Sequence, residues 1–221
     1  MKKLFIIEGL DGSGKKTQAT LLNDYLNAHG QKSMMHSFPS YESMSSGPVK
    51  MYLDGQLCEK ANQFDAYQTS ALFAVDRLCT MAQLQKSDAD VFVFDRYVES
   101  NVIHQGCKIV SKPKRVKFVR WLHNLEYKIF KLPRPTCVVF LNVTPEVSFE
   151  ISNDRTEQKS GMTKDIQEQD KEFVLQSYKN ALEMAKMLKW KIVNCVDENG
   201  KILPIETIHE KIKQVVLPYI K

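Results

Sequence analysis

Short apolar runs alternate along the chain with longer stretches in which apolar residues recur every three or four positions. Lys3-Leu4-Phe5-Ile6-Ile7 is the first run, and Val91–Phe94, Cys137–Leu141 and Lys191–Cys195 follow it; Ser33–Phe38 is a weaker one. The runs at 91–94 and 137–141 are continuously apolar rather than alternating, which predicts strands covered on both faces of a parallel sheet. Between them, Lys15–Ala28 carries Ala19, Leu22 and Leu26 at helical spacing and stops at His29-Gly30. Phe64–Gln85 carries Tyr67, Ala71, Ala74, Leu78 and Met81, and Lys171–Leu188 carries Val174, Leu175, Tyr178, Leu182, Ala185 and Leu188. Ile205–Val216 follows a turn at Asp197–Gly200. Strand and helix alternate throughout, so the expected class is α/β, a five-stranded parallel sheet flanked by helices on both faces.

No linker, repeat or low-complexity segment divides the chain, and residues 1–221 read as one domain. One stretch, Asn153–Gln169, is conspicuously polar, holds Ser160-Gly161 and sits between two helical patterns. Such a composition suits a lid over a ligand site, at about residues 153–169.

Composition narrows the class only modestly. The chain has 221 residues, 43% of them apolar, enough for a sizeable core. Its net charge of +5 suits anionic ligands but is too weak to argue for nucleic acid. The densest basic cluster, Lys108–Arg120, reads as a solvated helix start. The cysteines Cys58, Cys79, Cys107, Cys137 and Cys195 form no C-x-x-C pair and are scattered, as in a reduced cytosolic protein, with Cys137 and Cys195 read as small core residues. His29, His36, His123 and His209 read as surface residues, and Trp121 and Trp190 as core anchors. No apolar run reaches membrane-spanning length, so a cytoplasmic protein with no membrane partner is expected.

The chemistry concentrates at Gly9-Leu10-Asp11-Gly12-Ser13-Gly14-Lys15-Lys16-Thr17, between the first strand and the first helix. A helix start offers N–H groups with no partner in the helix and a partial positive charge. Glycines let the chain curl around a phosphate, and Lys15 can reach the terminal phosphates. The residue after such a lysine is normally a serine or threonine whose hydroxyl ligates magnesium. Here it is Lys16, and the hydroxyl comes one position later at Thr17.

Asp95-Arg96-Tyr97 follows directly on the strand Val91–Phe94. Ligands of doubly wound sheets bind beyond the carboxyl ends of the strands, so these residues belong beside the glycine loop. Arg96 can grip a phosphate with two parallel hydrogen bonds, and Asp95 can orient Arg96 or hold magnesium through water. Phe38-Pro39-Ser40-Tyr41 follows the second strand. Phe73 and Arg77, four apart, share a helix face and can stack on a base and bond its edge. Taken alone, Phe73 reads as core and Arg77 as a surface residue pairing with Asp76.

Together these segments resemble the bacterial thymidylate kinases, nearly end to end. The matching segments are the glycine loop, Phe38-Pro39-x-Tyr41, Phe73-x-x-Asp76-Arg77, Asp95-Arg96-Tyr97-x-x-Ser100-Asn101, Phe140-Leu141-x-Val143-x-Pro145-Glu146, and Asp165-x-x-Glu168-x-x-x-x-Phe173 leading to Tyr178. The resemblance implies a P-loop nucleoside monophosphate kinase fold and transfer of a phosphoryl group from ATP to dTMP with Mg2+, in a homodimer. It implies that Phe73 stacks on thymine, that Arg77 and Asn101 bind its polar edge, and that Ser100 belongs to the substrate-binding residues. Arg96 and Tyr41 would hold the acceptor phosphate with Phe38 beside it, after a Phe38–Pro39 bond that is often cis in the family. Asp11 would reach the sugar 3′-hydroxyl or the metal region. Gly12-Ser13 leaves the loop without an arginine, which resembles the members whose lid supplies the catalytic cation; Arg155 is the candidate, with Lys159 and Lys164 weaker ones.

Two positions depart from the family pattern. With Lys16 in place of the hydroxyl, the metal is expected on Asp95, Asp11 or Glu168. His104 stands where many members have tyrosine near the sugar 2′ carbon. Two other readings compete. A deoxynucleoside kinase would need a carboxylate base for a neutral hydroxyl, for which Glu8 is the candidate. A non-catalytic nucleotide-binding protein would explain Lys16 and bind ATP without turnover.

Overall fold

The structure is a computed structural model that describes residues 2–158, 166–167 and 170–220; of residues 152–158 it describes the backbone alone. Five strands, β1 (Lys3–Gly9), β2 (Ser33–Ser37), β3 (Val91–Asp95), β4 (Cys137–Asn142) and β5 (Lys191–Asn194), form one sheet in the order β2-β3-β1-β4-β5. Every pairing in it is parallel. The first strand in sequence is therefore the middle of the sheet, with Ile6 beside Phe94 on one side and Val138 on the other.

The continuous apolar runs have the physical reason anticipated for them. On β1, Leu4 and Ile6 enter one core and Phe5 and Ile7 the other. Strand geometry sends successive side chains to opposite faces, so a strand buried on both must be apolar at each position. The faces differ in character: Phe92, Phe94 and Phe140 project into one, Val91, Val93 and Val139 into the other. The smaller residues meet α1 (Lys15–Ala28) through Ala19, Leu22 and Leu26, and α8 (Ile205–Val216) through Ile208, Ile212 and Val216. The aromatic face is covered by α3 (Ala66–Leu84), α4 (Val98–His104), α5 (Lys112–His123) and α7 (Lys171–Met187). The helix α2 (Gly47–Leu53) and α6 (Pro145–Gln158) complete the set.

Several expectations need adjustment. The helix α6 carries on to Gln158, so the first part of the polar stretch 153–169 is helical rather than loop. The side chain of Arg155, and all of Lys159, Lys164 and Glu168, lie outside the described residues. Lys108 is not a solvated helix residue. Its Nζ turns inward and donates to the Phe64 carbonyl and the Thr69 hydroxyl, both at 2.9 Å, and burial lowers its pKa to about 8. His36 is half-buried among Phe38 and Phe94 and sits 2.8 Å from the Ser40 hydroxyl; His123 and His209 are half-buried too. Trp190 is a core residue, whereas Trp121 is only partly buried and packs against Tyr67 and Phe118. Cys137 and Cys195 are buried, as their strand-end positions predict.

Candidate active site

The carboxyl ends of β1, β2 and β3 open onto a cavity of about 310 Å³. Its floor is the turn after β1. Gly9 must be glycine, because a Cβ there would lie 2.5 Å from the Ser13 hydroxyl and 3.1 Å from the Leu141 carbonyl. Gly14, the N-cap of α1, has φ 84° in the left-handed region that favours glycine. No side chain caps this helix start and its first turn holds no acid, so its leading N–H groups stand available for an anion. Lys15 is buried and folded back: its Nζ donates to the Leu10 carbonyl at 2.7 Å and lies 3.6 Å from Asp11. Burial, then Arg96, lowers the Lys15 pKa. Lys16 is exposed at the cavity rim and Thr17 is half-buried.

Arg96 stands opposite, at the end of β3. Its φ of 67° is left-handed, a conformation costing a non-glycine residue about 1–3 kcal/mol. The turn directs the guanidinium across the cavity, where one nitrogen donates to Asp11 and another meets His104 Nε2 at 3.2 Å. Burial pushes the Asp11 carboxyl up, but Arg96 and Lys15 more than reverse this and hold it well below the usual range. Burial, then Arg96, drops His104 to about 3, so the imidazole is neutral and its Nε2 accepts a hydrogen bond from the charged guanidinium. Asp11, Arg96, Lys15 and His104 thus meet in one cluster, although they come from two strand ends and two helices.

Asp95 is buried; its Oδ2 accepts from the Ser37 hydroxyl at 3.1 Å, and its Oδ1 has no partner among the described residues. An orphaned carboxylate oxygen beside a phosphate loop fits a hard cation, which commonly takes one or two carboxylates and fills its remaining positions with water and phosphate. Among the described residues no cluster of three or more acids, histidines or cysteines forms a ready-made metal cage.

The far wall carries aromatic side chains and a guanidinium. Phe38 is buried, with the bond to Pro39 cis, and Tyr41 is about half exposed at the rim. Phe73 lines the cavity from α3, its ring edge-on to Tyr52. Arg77 is fully enclosed, and the expected pairing with Asp76 is replaced by another. Arg77 Nε and one terminal nitrogen each donate to Glu126 at 2.6 Å, and a second terminal nitrogen reaches the Tyr97 carbonyl at 3.3 Å. Three of its five N–H groups are so engaged. Asp76 instead accepts from the Ser40 N–H and the Ser45 hydroxyl. Glu126 reaches Arg77 because Asn124–Ile129 is a π-helical turn following α5, a widening common at functional sites. Asn101 is buried with its amide on the Ser70 carbonyl, while the Ser100 hydroxyl is turned to Glu8.

Gln105 and Gln167 are among the lining residues that escaped the sequence reading. Gln105 is buried with its Oε1 unpartnered among the described residues, and Gln167 lines the cavity while reaching Tyr52. The only signal for Gln105 was its place one residue beyond His104 at the end of α4.

Glu8 and Glu99 are both buried, and burial raises each to about 7. Glu99 accepts from the Tyr127 hydroxyl at 2.7 Å, and its second oxygen has no partner among the described residues. Between pH 4.5 and 7 the native acid holds a proton that the unfolded one has lost, so stability falls as pH rises through that window. Glu99→Gln removes this titration. Urea unfolding should find the variant and the parent alike near pH 4.5, with the variant ahead by up to about 3 kcal/mol at pH 8.

A sequence model of the thymidylate kinase family matches residues 7–212. Thymidylate kinase of Mycobacterium tuberculosis is 30% identical over 173 residues, covering 77% of this chain and 79% of that protein. The Brachyspira hyodysenteriae thymidylate kinase is 27% identical over 218 residues, 93% and 98% of the two chains, and the Arabidopsis thaliana enzyme 25% over 223 residues, 99% and 72%. The matched span contains both the glycine loop and the Asp95-Arg96 turn that faces it, and the chain belongs to the thymidylate kinase family.

Proposed function

We propose that this protein transfers the terminal phosphoryl group of ATP to dTMP, giving dTDP. The observation that carries the reading is Arg96 aimed across the cavity at Asp11 and the lysine-bearing loop. A guanidinium so placed binds an anionic acceptor facing the donor phosphates, and the transfer needs little else from the protein than positioning and charge. The donor phosphates take the N-terminus of α1 and Lys15, which exchanges the Leu10 carbonyl for a phosphate oxygen. The acceptor phosphate takes Arg96 and Tyr41 beside Phe38. Phe73 stacks on thymine, with Asn101, Gln105 and the two uncommitted N–H groups of Arg77 available to its polar edge. Neutral His104 sits on the sugar side.

Magnesium bound with ATP would neutralise phosphate charge; Asp95 and Asp11, with Glu168 from outside the described residues, are the carboxylates to hold it. Lys16 does not obstruct this, since it is exposed at the rim. Arg155, on α6, is the proposed lid cation, because Gly12-Ser13 brings none. The chain acts as a single cytoplasmic domain: five free cysteines suit a reducing compartment, and no helix among the described residues is long and apolar enough to cross a membrane. Ala71, Val75 and Cys79 are exposed at four-residue spacing along α3, which suits a homodimer packed through that helix.

The rival acceptor, a neutral sugar hydroxyl, is disfavoured by Glu8. Its carboxylate is fully buried and takes up the Tyr97 N–H and the Ser100 hydroxyl. An ADP-release assay across nucleoside monophosphates and thymidine, with and without magnesium, tests the reading. Magnesium-dependent turnover with dTMP and none with thymidine is expected. Turnover with thymidine alone, or ATP binding without turnover, overturns it.

A further inference from the structure

We propose that Glu8 is a positioning residue for the acceptor-phosphate guanidinium, and that it sets the separation of the two phosphates. The inference rests on the reading of Arg96 as the group that holds the acceptor phosphate. Glu8 is a charged residue inside a strand of the sheet, an expensive place for a carboxylate unless something there needs it. Its Oε1 accepts the Tyr97 N–H at 3.0 Å and the Ser100 hydroxyl at 2.9 Å, and its Oε2 lies 3.0 Å from the same hydroxyl. Both donors lie just beyond Arg96. On the near side, the Arg96 N–H donates to the Ile7 carbonyl at 3.1 Å. The left-handed turn at Arg96 is therefore held before and after by consecutive residues of β1.

That strand also delivers the glycine loop, which begins one residue after Glu8. One rigid element thus carries the donor-phosphate loop and fixes the acceptor guanidinium. Glu8 itself does not line the cavity, so its action passes through the turn. The charged and titratable groups around it are Arg96 and Lys15 toward the cavity and Glu99 on α4. With a pKa raised by burial, Glu8 spends part of its time protonated near neutral pH, and a neutral acid still offers an oxygen to the Tyr97 N–H. Hydrogen bonding, rather than charge, is what the turn draws from it.

Glu8→Ala and Glu8→Gln, made in the full chain, separate the possibilities. For Glu8→Ala we expect KM for dTMP to rise tenfold or more with KM for ATP changed less than threefold, and the Tyr97 amide to lose its protection from hydrogen exchange. Glu8→Gln keeps an acceptor oxygen, so it should restore both to within threefold of the parent and keep the same profile of kcat/KM between pH 6 and 8. Equal loss in both variants would mean that charge or proton transfer matters, and overturns the proposal. So does a fall in melting temperature with both KM values shifted alike, which marks a purely structural acid. Should Glu8→Ala not fold, Ser100→Ala removes one of the two donors; unchanged Tyr97 protection and unchanged KM for dTMP would then overturn the proposal. A parent protein that does not turn over dTMP defeats the proposed function instead, and the Tyr97 exchange measurement, which needs no substrate, still tests the clamp.

Discussion

Arg96→Ala should lower kcat/KM for dTMP by about a thousandfold or more while leaving ATP binding within a few-fold. A cation at the transferring phosphoryl group is worth on the order of 10³–10⁵ in rate in related chemistry. Arg96 is the one guanidinium among the described residues seen to bond a group of the glycine loop, and its burial strengthens that electrostatic reach. Burial would lower its own pKa, but Asp11, Asp95 and Glu8 more than reverse this, so it stays charged throughout the working range. Arg96→Lys should recover only a small part of the loss, because a lysine supplies charge without the planar fork. Steady-state kinetics with each substrate varied in turn check this; a variant weakened equally toward ATP and dTMP would contradict the assignment. Arg96→Ala also removes the guanidinium from Asp11 and leaves it with Lys15, so Asp11 should titrate closer to the usual carboxylate range.

The second large effect is on stability. Glu126→Ala should destabilise the protein by about 3–5 kcal/mol, because it leaves the buried Arg77 guanidinium without its counter-charge. Arg77 is 2% exposed and Glu126 is 0%, so solvent screens neither. Burial would lower the Arg77 pKa, yet Glu126 holds it raised. For a chain of this length the loss corresponds to a fall in melting temperature of roughly 6–20 °C. The double variant Arg77→Met/Glu126→Leu should recover most of the stability, since an apolar pair can replace a buried ion pair at little cost. It should not recover dTMP binding, because the two N–H groups proposed to meet the base edge go with Arg77. Calorimetry on the two single variants and the double one, with dTMP titrations alongside, gives both readings. A double variant as unstable as Glu126→Ala would show that shape, not charge, governs the site.

The sheet was legible in the sequence because its strands are buried on both faces. Val91–Phe94 and Cys137–Leu141 had no polar positions to blur them, and α1 and α8 kept a clear apolar stripe. The glycine loop was legible because close approach admits only glycine at Gly9. What sequence could not supply was pairing across large separations. The partner of Arg77 lies 49 residues away, on a π-helical turn that no periodicity announces, and the adjacent Asp76 was the natural but mistaken choice. Lys108 looked like one more charge in a basic run, yet its Nζ is held by the Phe64 carbonyl just ahead of α3 and the Thr69 hydroxyl in its first turn. Glu8 was visible only as an acid at the end of a strand; that it grips the turn after β3 depends on β1 and β3 being neighbours, with Ile7 level with Asp95. The lid expected at 153–169 rests on composition alone, and most of that stretch lies outside the described residues.

The central position of β1 also bears on how the protein comes to be made. Lys3 pairs with Val91 and Phe5 with Cys137, so the strand is separated from its two neighbours by 88 and 132 positions of chain. At a ribosomal pace of about 5–20 residues per second, Leu4-Phe5-Ile6-Ile7 leaves the tunnel several seconds before either strand that pairs with it has been made. A greasy, unpaired ribbon of that kind invites both chaperone capture and clumping, and slow closure is expected of a topology whose keystone is laid first and locked last.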